Sequence, residues 1–147
     1  MTDRPHITVA TVVERDGEFL FVRELSDNLV VINQPAGHLE TGESLIQAAV
    51  RETLEETCWK VDIVGLLGIY TYWSATNNIY YVRHCFIAKP VEEDSTAQLD
   101  KEIVAACWLS KAELLAQDEP LRSPLVLRCI EDFENGVRFP LSLLVDP

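Results

Sequence analysis

The feature that most constrains the fold is a helix-forming segment, 44–57, set between strand-forming segments. It contains no glycine or proline, it is rich in Leu, Gln, Ala, Arg and Glu, and either Thr41 or Ser44 suits its N-cap. Segments rich in Val, Ile and aromatic residues lie on both sides of it, so helices have to pack on a sheet. The pattern predicts α/β or α+β layers with a mixed sheet.

The predicted strands are runs of apolar residues bounded by turn residues. Residues 7–13 and 18–22 flank Asp16-Gly17, a pair typical of a tight hairpin turn. Residues 33–37 contain a proline and a glycine and predict a loop. The remaining predicted strands are 29–32, 60–73, 79–88 and 102–109, with a chain reversal at 76–78 that joins the two longest into an antiparallel pair.

Two further helices are predicted after the last strand. Ser110 and Glu113 have the spacing of a capping box, which predicts a helix start. Ser123 and Pro124 suit the cap and the first residue of a second helix. No repeat or linker divides the chain, and 147 residues suit one core, so a single domain over 1–147 is expected.

Charge and composition exclude several partners. With 12 Lys+Arg against 24 Asp+Glu, the formal net charge of −12 repels long nucleic acid, and a phosphorylated small ligand needs an intervening cation. No apolar run approaches the roughly 20 residues that span a bilayer, and the first residues do not resemble a secretory signal. A cytosolic protein without a membrane partner is therefore expected. The four cysteines form no C-x-x-C pair, which favours buried free thiols.

Three carboxylates share one face of the predicted helix. Glu52, Glu55 and Glu56 stand at i, i+3 and i+4, and Leu45, Ala48 and Ala49 continue the same face toward the N-terminus as a small-residue groove. A partly sheltered group of like charges favours a cation, and oxygen ligands alone favour a hard divalent ion. The alternative is an acidic helix end that faces water.

The residues around this face form a longer pattern. Gly37, Glu43, Arg51 and the three glutamates match G-x5-E-x7-R-E-x2-E-E, and with this pattern the sequence resembles the Nudix hydrolase family. Two positions depart from the family signature: Thr53 replaces an aliphatic residue, and Cys58 stands where glycine usually follows the helix. Because positive φ is costly for cysteine, a different helix ending is expected at Cys58.

The resemblance extends to segments 33–40 and 121–126, which are similar to the NudJ phosphatase subgroup of the family. It implies an α/β/α sandwich with a central mixed β-sheet and hydrolysis that depends on Mg²⁺ or Mn²⁺. The implied substrates are small nucleoside di- and triphosphates or thiamine-pathway pyrophosphates. The alternative is a Nudix-like module that senses a phosphorylated metabolite without catalysis, although intact metal ligands argue against it. Either a monomer or a homodimer is compatible with the sequence.

The resemblance also implies roles for individual residues. It gives the metal ligands as Glu52, Glu55, Glu56 and the backbone carbonyl of Ala36, with Glu102 either a further ligand or base or a solvated loop charge. Glu52 is the preferred general base, and Glu43 and Arg51 complete the catalytic group as supporting residues. An arginine between carboxylates can pair with Glu43 and so hold the loop on the helix. Gly37 would allow a close approach of the backbone to the metal.

Other residues have weaker claims to a role. The aromatic residues around 70–81 either stack on a substrate ring or pack across strands, and period-2 alternation allows only part of them to line one pocket. His38 could touch a phosphate, but a lone loop histidine is more often solvated. Arg122 and Arg128 flank the last helix and could bind a phosphate tail, a role that surface arginines usually do not have. No role is expected for His6 or His84.

Overall fold

The computed structural model describes residues 4–146, so residues 1–3 and 147 of the predicted domain lie outside the described part. Within it the chain forms seven strands, three helices and a short 3-10 helix. The strands are β1 (His6–Arg15), β2 (Glu18–Ser26), β3 (Leu29–Asn33), β4 (Ala36–His38), β5 (Trp59–Ser74), β6 (Ile79–Glu93) and β7 (Ile103–Leu109). The helices are α1 (Leu45–Thr57), α2 (Lys111–Leu115), α3 (Pro124–Glu134) and η1 (Leu141–Leu143).

The predicted hairpin turn at Asp16-Gly17 is confirmed, and both residues have positive φ, 52° and 83°. The two strands pair only next to the turn, at Glu14–Phe19 and Arg15–Glu18, and then separate. β2 continues between β3 and β7 as an antiparallel group, whereas β1 enters a different part of the sheet. The hairpin therefore connects two sheet regions.

The mixed part of the sheet has the strand order β4-β1-β6-β5. β1 runs parallel to β6 and antiparallel to β4, and the predicted β5–β6 antiparallel pair is confirmed. The prediction of a loop throughout 33–37 is wrong at its end, because Ala36 and Gly37 already belong to β4 and pair with Ala10 and Val9. A three-residue strand is too short to leave a periodic pattern in the sequence.

Helices cover both faces of the mixed sheet, which confirms the predicted α/β/α layering. On one face Val9, Leu66 and Phe86 pack against Ala48 and Ala49 of α1. The residues next to these along the strands point the other way, and Ala10, Leu67, Cys85 and Ile87 pack against Leu114 of α2 and against Val126 and Ile130 of α3. The two alanines are fully buried core residues, so the expected small-residue groove beside the glutamates is wrong.

The helix starts agree with the predictions, but one helix end does not. Ser44 caps α1 in a capping box with Gln47, and Ser110 and Ser123 cap α2 and α3. Cys58 was expected to avoid the left-handed conformation, yet it ends α1 with a φ of 64°. Its N–H donates to the Leu54 carbonyl over 2.8 Å, and its carbonyl accepts from Asp94 over 2.7 Å. These two hydrogen bonds offset the cost of positive φ.

All four cysteines are free thiols, as expected, but only two of them are buried. Cys85 and Cys129 lie in the core between the sheet and α3. Cys58 and Cys107 are partly exposed, which corrects the expectation of four buried thiols. None of the helices within residues 4–146 combines the length and the apolar character that a membrane-spanning helix requires.

Candidate active site

A cavity of about 320 Å³ opens between the C-terminal half of α1 and the sheet. Strands, loops and both long helices contribute to its wall. The polar and charged side chains on this wall are Thr8, Glu24, Asn33, His38, Glu52, Glu56, Tyr72, Ser74, Tyr81, Arg83, Asp100, Glu102, Arg122 and Ser123. The cavity is therefore acidic next to α1 and contains arginines farther away.

Glu52, Glu55 and Asp100 form the acidic cluster of the site. One carboxylate oxygen from each lies within 4.8 Å of the other two. The N–H of Asp100 donates to the Glu55 carbonyl over 3.0 Å, and this bond ties the loop before β7 to the last turn of α1. The sequence had assigned no role to Asp100, although its place in an acidic loop just before a predicted strand was a usable signal.

Glu56 lines the same cavity but does not belong to the acidic cluster. Its Oε1 accepts a hydrogen bond from the Ala36 N–H at 2.9 Å, and the residue is 8% exposed. Burial raises the pKa of Glu56 to about 9, against a lowering by the Ala36 hydrogen bond. A bound cation would favour the ionised form of this carboxyl group.

Glu52 packs directly against Gly37. A Cβ atom added at Gly37 would lie 1.6 Å from Oε2 of Glu52, so only glycine leaves room for this carboxylate. The expected close approach at Gly37 is thus seen toward a side chain of the acidic cluster. Burial, partly opposed by Arg51, raises the pKa of Glu52 to about 7.

Arg51 joins the loop before α1 to the acidic cluster. Its Nε and Nη2 donate to both oxygens of Glu43 at 3.0 and 2.6 Å, which is the pairing that the sequence predicted. Nη1 donates to Glu55 at 3.0 Å, and Nη2 also donates to the His38 carbonyl at 3.0 Å. These hydrogen bonds raise the pKa of Arg51 and lower that of Glu43, so both stay charged. Arg51 thereby holds Glu55 in position next to the cavity.

Ala36 and Glu102 both line the cavity. The N–H of Ala36 donates a hydrogen bond to Glu56, and a metal-ligand role for the Ala36 carbonyl stays a prediction. Glu102 is exposed and stands two residues after Asp100, outside the acidic cluster. The choice between a base, a ligand and a solvated charge at Glu102 therefore also stays open at this point.

A polar network that the sequence did not reveal forms the wall farther from α1. Arg83 is 8% exposed, and its Nη1 donates to Oε1 of Gln34 at 2.8 Å. Its Nη2 lies 3.4 Å from Oδ1 of Asn33, whose Nδ2 donates to Glu24 at 2.9 Å. Arg122 also donates to Glu24 at 2.9 Å. Arg83 lies within a strand-like run of residues, so no local pattern marks its position in the cavity.

The weaker candidates divide between the cavity and other surfaces. Tyr72 and Tyr81 line the cavity, whereas Tyr70 lies behind it and donates to Asp132 over 2.8 Å. His38 lines the cavity too. Arg128 pairs with Asp132 on the exposed side of α3, outside the cavity lining.

The donor set of the acidic cluster fits a hard divalent cation. Its three side chains offer only carboxylate oxygens, which suit Mg²⁺ or Mn²⁺ better than softer metals. Three like charges within 4.8 Å are also unfavourable without a compensating cation beyond Arg51. Glu56 lines the same cavity, outside this group of three carboxylates.

Comparisons with known proteins give one consistent result. A family model described as the NUDIX domain matches residues 3–129. Phosphatase NudJ of Escherichia coli K12 is 37% identical over 97% of this chain and 92% of its own length. A NUDIX hydrolase from Nitrosomonas europaea is 43% identical, covers 98% of each chain and superposes with a TM-score of 0.94. The NUDIX domain of Shewanella oneidensis NrtR, solved with ADP ribose, is 20% identical with a TM-score of 0.74 over 92% of this chain and 90% of its own, which shows a shared fold alone.

Proposed function

Because the chain belongs to the Nudix hydrolase family, we propose that it hydrolyses a phosphoanhydride bond with the help of Mg²⁺ or Mn²⁺. The proposed substrates are small nucleoside di- or triphosphates or thiamine-pathway pyrophosphates. The observation that carries the proposal is the group of Glu52, Glu55 and Asp100 oxygens within 4.8 Å of one another beside a cavity. The phosphatase name of the 37% identical relative supports the same reaction class.

Glu52, Glu55 and Asp100 would hold the cation, with Glu56 and the Ala36 carbonyl as the further ligands that the family resemblance implies. When bound, the ion neutralises phosphate oxygens and acidifies a water molecule. Arg51 orients Glu55, and Gly37 makes room for Glu52. The chain thus supplies a preorganised acidic face for a ligand that its overall charge would otherwise repel.

Glu52 is the proposed general base, since it lines the cavity and belongs to the acidic cluster. Glu102 lines the same cavity and is the alternative. Glutamine substitutions at Glu52 and Glu102 distinguish the two assignments. Replacing the general base lowers kcat at saturating metal, whereas replacing Glu102 leaves kcat unchanged if Glu102 is only a solvated charge.

The cavity is the size of a small-molecule site. The acidic composition and this limited volume together support a small phosphorylated metabolite and disfavour a nucleic-acid polymer. A cytosolic location and a monomeric or homodimeric state stay predictions.

A phosphate-release assay on the full chain tests the proposal. Nucleoside di- and triphosphates and thiamine diphosphate are incubated with Mg²⁺, with Mn²⁺ or with chelator. Release is expected only with metal, and Glu52→Gln should lower kcat/KM at least about 100-fold. Glu92→Gln is the matched control, because Glu92 is exposed and pairs with Lys60 away from the cavity. Equal release in chelator would refute the metal requirement, and binding without release would support the sensing alternative.

A further inference from the structure

Arg83 is a buried cation that forms no ion pair with a carboxylate of the described residues 4–146. It is 8% exposed and lines the cavity, yet its two hydrogen-bond acceptors, Gln34 and Asn33, are neutral amides. None of the ion pairs within residues 4–146 involves Arg83. A buried charge is costly unless an opposite charge compensates it. The amide oxygens orient the guanidinium, and its charge is left for a group inside the cavity.

A second arginine and a helix N-terminus line the same cavity as Arg83. Arg122 lines the same cavity and pairs with Glu24, whose carboxylate also accepts from Asn33, a hydrogen-bond partner of Arg83. Glu24 already accepts from Arg122 and Asn33 through the same oxygen. The N-terminus of α3, an 11-residue helix, adds partial positive charge where Ser123 lines the wall. In a chain of net charge −12, the guanidinium of Arg83 and this helix end are the features of the wall that favour an anion.

The strand register gives the backbone separation between Arg83 and β4, the strand against which Glu52 packs. His38 of β4 stands opposite Thr8 of β1, and Thr8 stands opposite Arg83 of β6. Two strand spacings correspond to roughly 10 Å. Glu52 packs against Gly37, next to His38, so the backbone of Arg83 lies two strands away from the strand that contacts Glu52.

From these observations we propose that Arg83 binds an additional phosphate group of the substrate, beyond the phosphates that the cation at the acidic cluster would hold. The inference rests on the proposed function and extends it to substrate choice: the enzyme prefers substrates with a third phosphate. That phosphate is either the remaining member of a triphosphate chain or a separate phosphate on the nucleoside. Both sources present the same chemistry to the guanidinium, which can donate two N–H groups to one phosphate.

Steady-state kinetics of Arg83→Gln against three substrates test this assignment. The substrates are a nucleoside 5′-diphosphate, the 5′-triphosphate of the same nucleoside, and its 3′-phosphate 5′-diphosphate. The variant should raise KM about 10- to 100-fold for whichever substrate presents the third phosphate to Arg83, with kcat nearly unchanged. The plain diphosphate should be affected little. The substrate that shows the penalty identifies the source of the phosphate.

Two control variants separate binding from a structural role. Arg83→Lys keeps the charge and should recover part of the lost affinity. Arg128→Gln removes an exposed arginine that pairs with Asp132 outside the cavity, and it should leave all three KM values unchanged. An equal rise in KM for all three substrates, or no rise for any, would overturn the proposal.

A measurement on the wild-type protein covers the case in which Arg83→Gln does not fold. Inorganic triphosphate and inorganic diphosphate are compared as inhibitors at fixed free Mg²⁺. If Arg83 binds a third phosphate in the chain, inorganic triphosphate should inhibit at least about tenfold more strongly than inorganic diphosphate. If the third phosphate is on the nucleoside, the 3′-phosphate 5′-diphosphate should instead have a lower KM than the plain 5′-diphosphate. If neither of these preferences is found, the inference is overturned. If none of the substrates is hydrolysed, the proposed function itself is refuted.

Discussion

Replacing Glu56 by glutamine should stabilise the metal-free protein at alkaline pH. Glu56 is 8% exposed and accepts a hydrogen bond from Ala36, and a glutamine oxygen can accept the same bond. Burial raises the pKa of Glu56 to about 9 from its ordinary 4.5. Between pH 5 and pH 8 the unfolded chain therefore loses this proton while the folded chain keeps it, so the stability of the wild-type protein falls as pH rises.

The magnitude follows from the width of that interval. Each pH unit over which only the unfolded state is ionised costs about 1.4 kcal/mol, so three units cost at most about 4 kcal/mol. For a chain of 147 residues this corresponds to roughly 10 °C in Tm. The Glu56→Gln variant does not lose this folding stability between pH 5 and pH 8, because glutamine does not ionise. Glu52 titrates in both proteins, so the prediction concerns the difference between them.

Thermal unfolding followed by circular dichroism, in chelator at pH 5 and pH 8, measures the effect. Glu56→Gln and the wild-type protein should melt at similar temperatures at pH 5, and the variant should melt higher at pH 8. Added Mg²⁺ at pH 8 should raise the Tm of the wild-type protein more than that of the variant, because the cation favours the ionised carboxylate. Glu92→Gln, at an exposed position, should follow the wild-type protein throughout.

Parallel pH profiles for Glu56→Gln and wild type in chelator would refute the reasoning. They would show that Glu56 loses its proton in the folded state as easily as in water, and that its burial carries no electrostatic cost.

Two further predictions concern backbone positions. Gly37→Ala would place a Cβ 1.6 Å from Glu52, so kcat/KM should fall at least about 100-fold in the phosphate-release assay while Tm changes little. In a Glu52→Gln background the same substitution should cost much less, and full additivity would contradict the proposed clash. Cys58→Gly should raise the free energy of unfolding by about 0.5–1 kcal/mol in urea, because φ at Cys58 is 64°. Cys58→Ala should not stabilise; a gain equal to that of glycine would mean that the thiol rather than φ is responsible.

The predictions from the sequence succeeded where the determining interactions are local. The capping residues Ser44, Ser110 and Ser123 start helices as expected, because a cap bonds to an amide two or three residues away. They failed where distant segments decide the outcome. Cys58 takes the left-handed conformation because Asp94 binds its carbonyl, a contact that no local pattern encodes.

The sequence by itself determined the helix that carries the glutamates, their common side and the pairing of Arg51 with Glu43, since helical periodicity and short spacing place these groups together. Only the tertiary structure brought Asp100 into the acidic cluster and Arg83 into the cavity, 45 and 28 positions beyond Glu55. It also decided that Glu56 is buried against Ala36. Strand pairing and loop closure set these neighbours, and they depend on the packing of the entire core, so residue spacing alone does not reveal them.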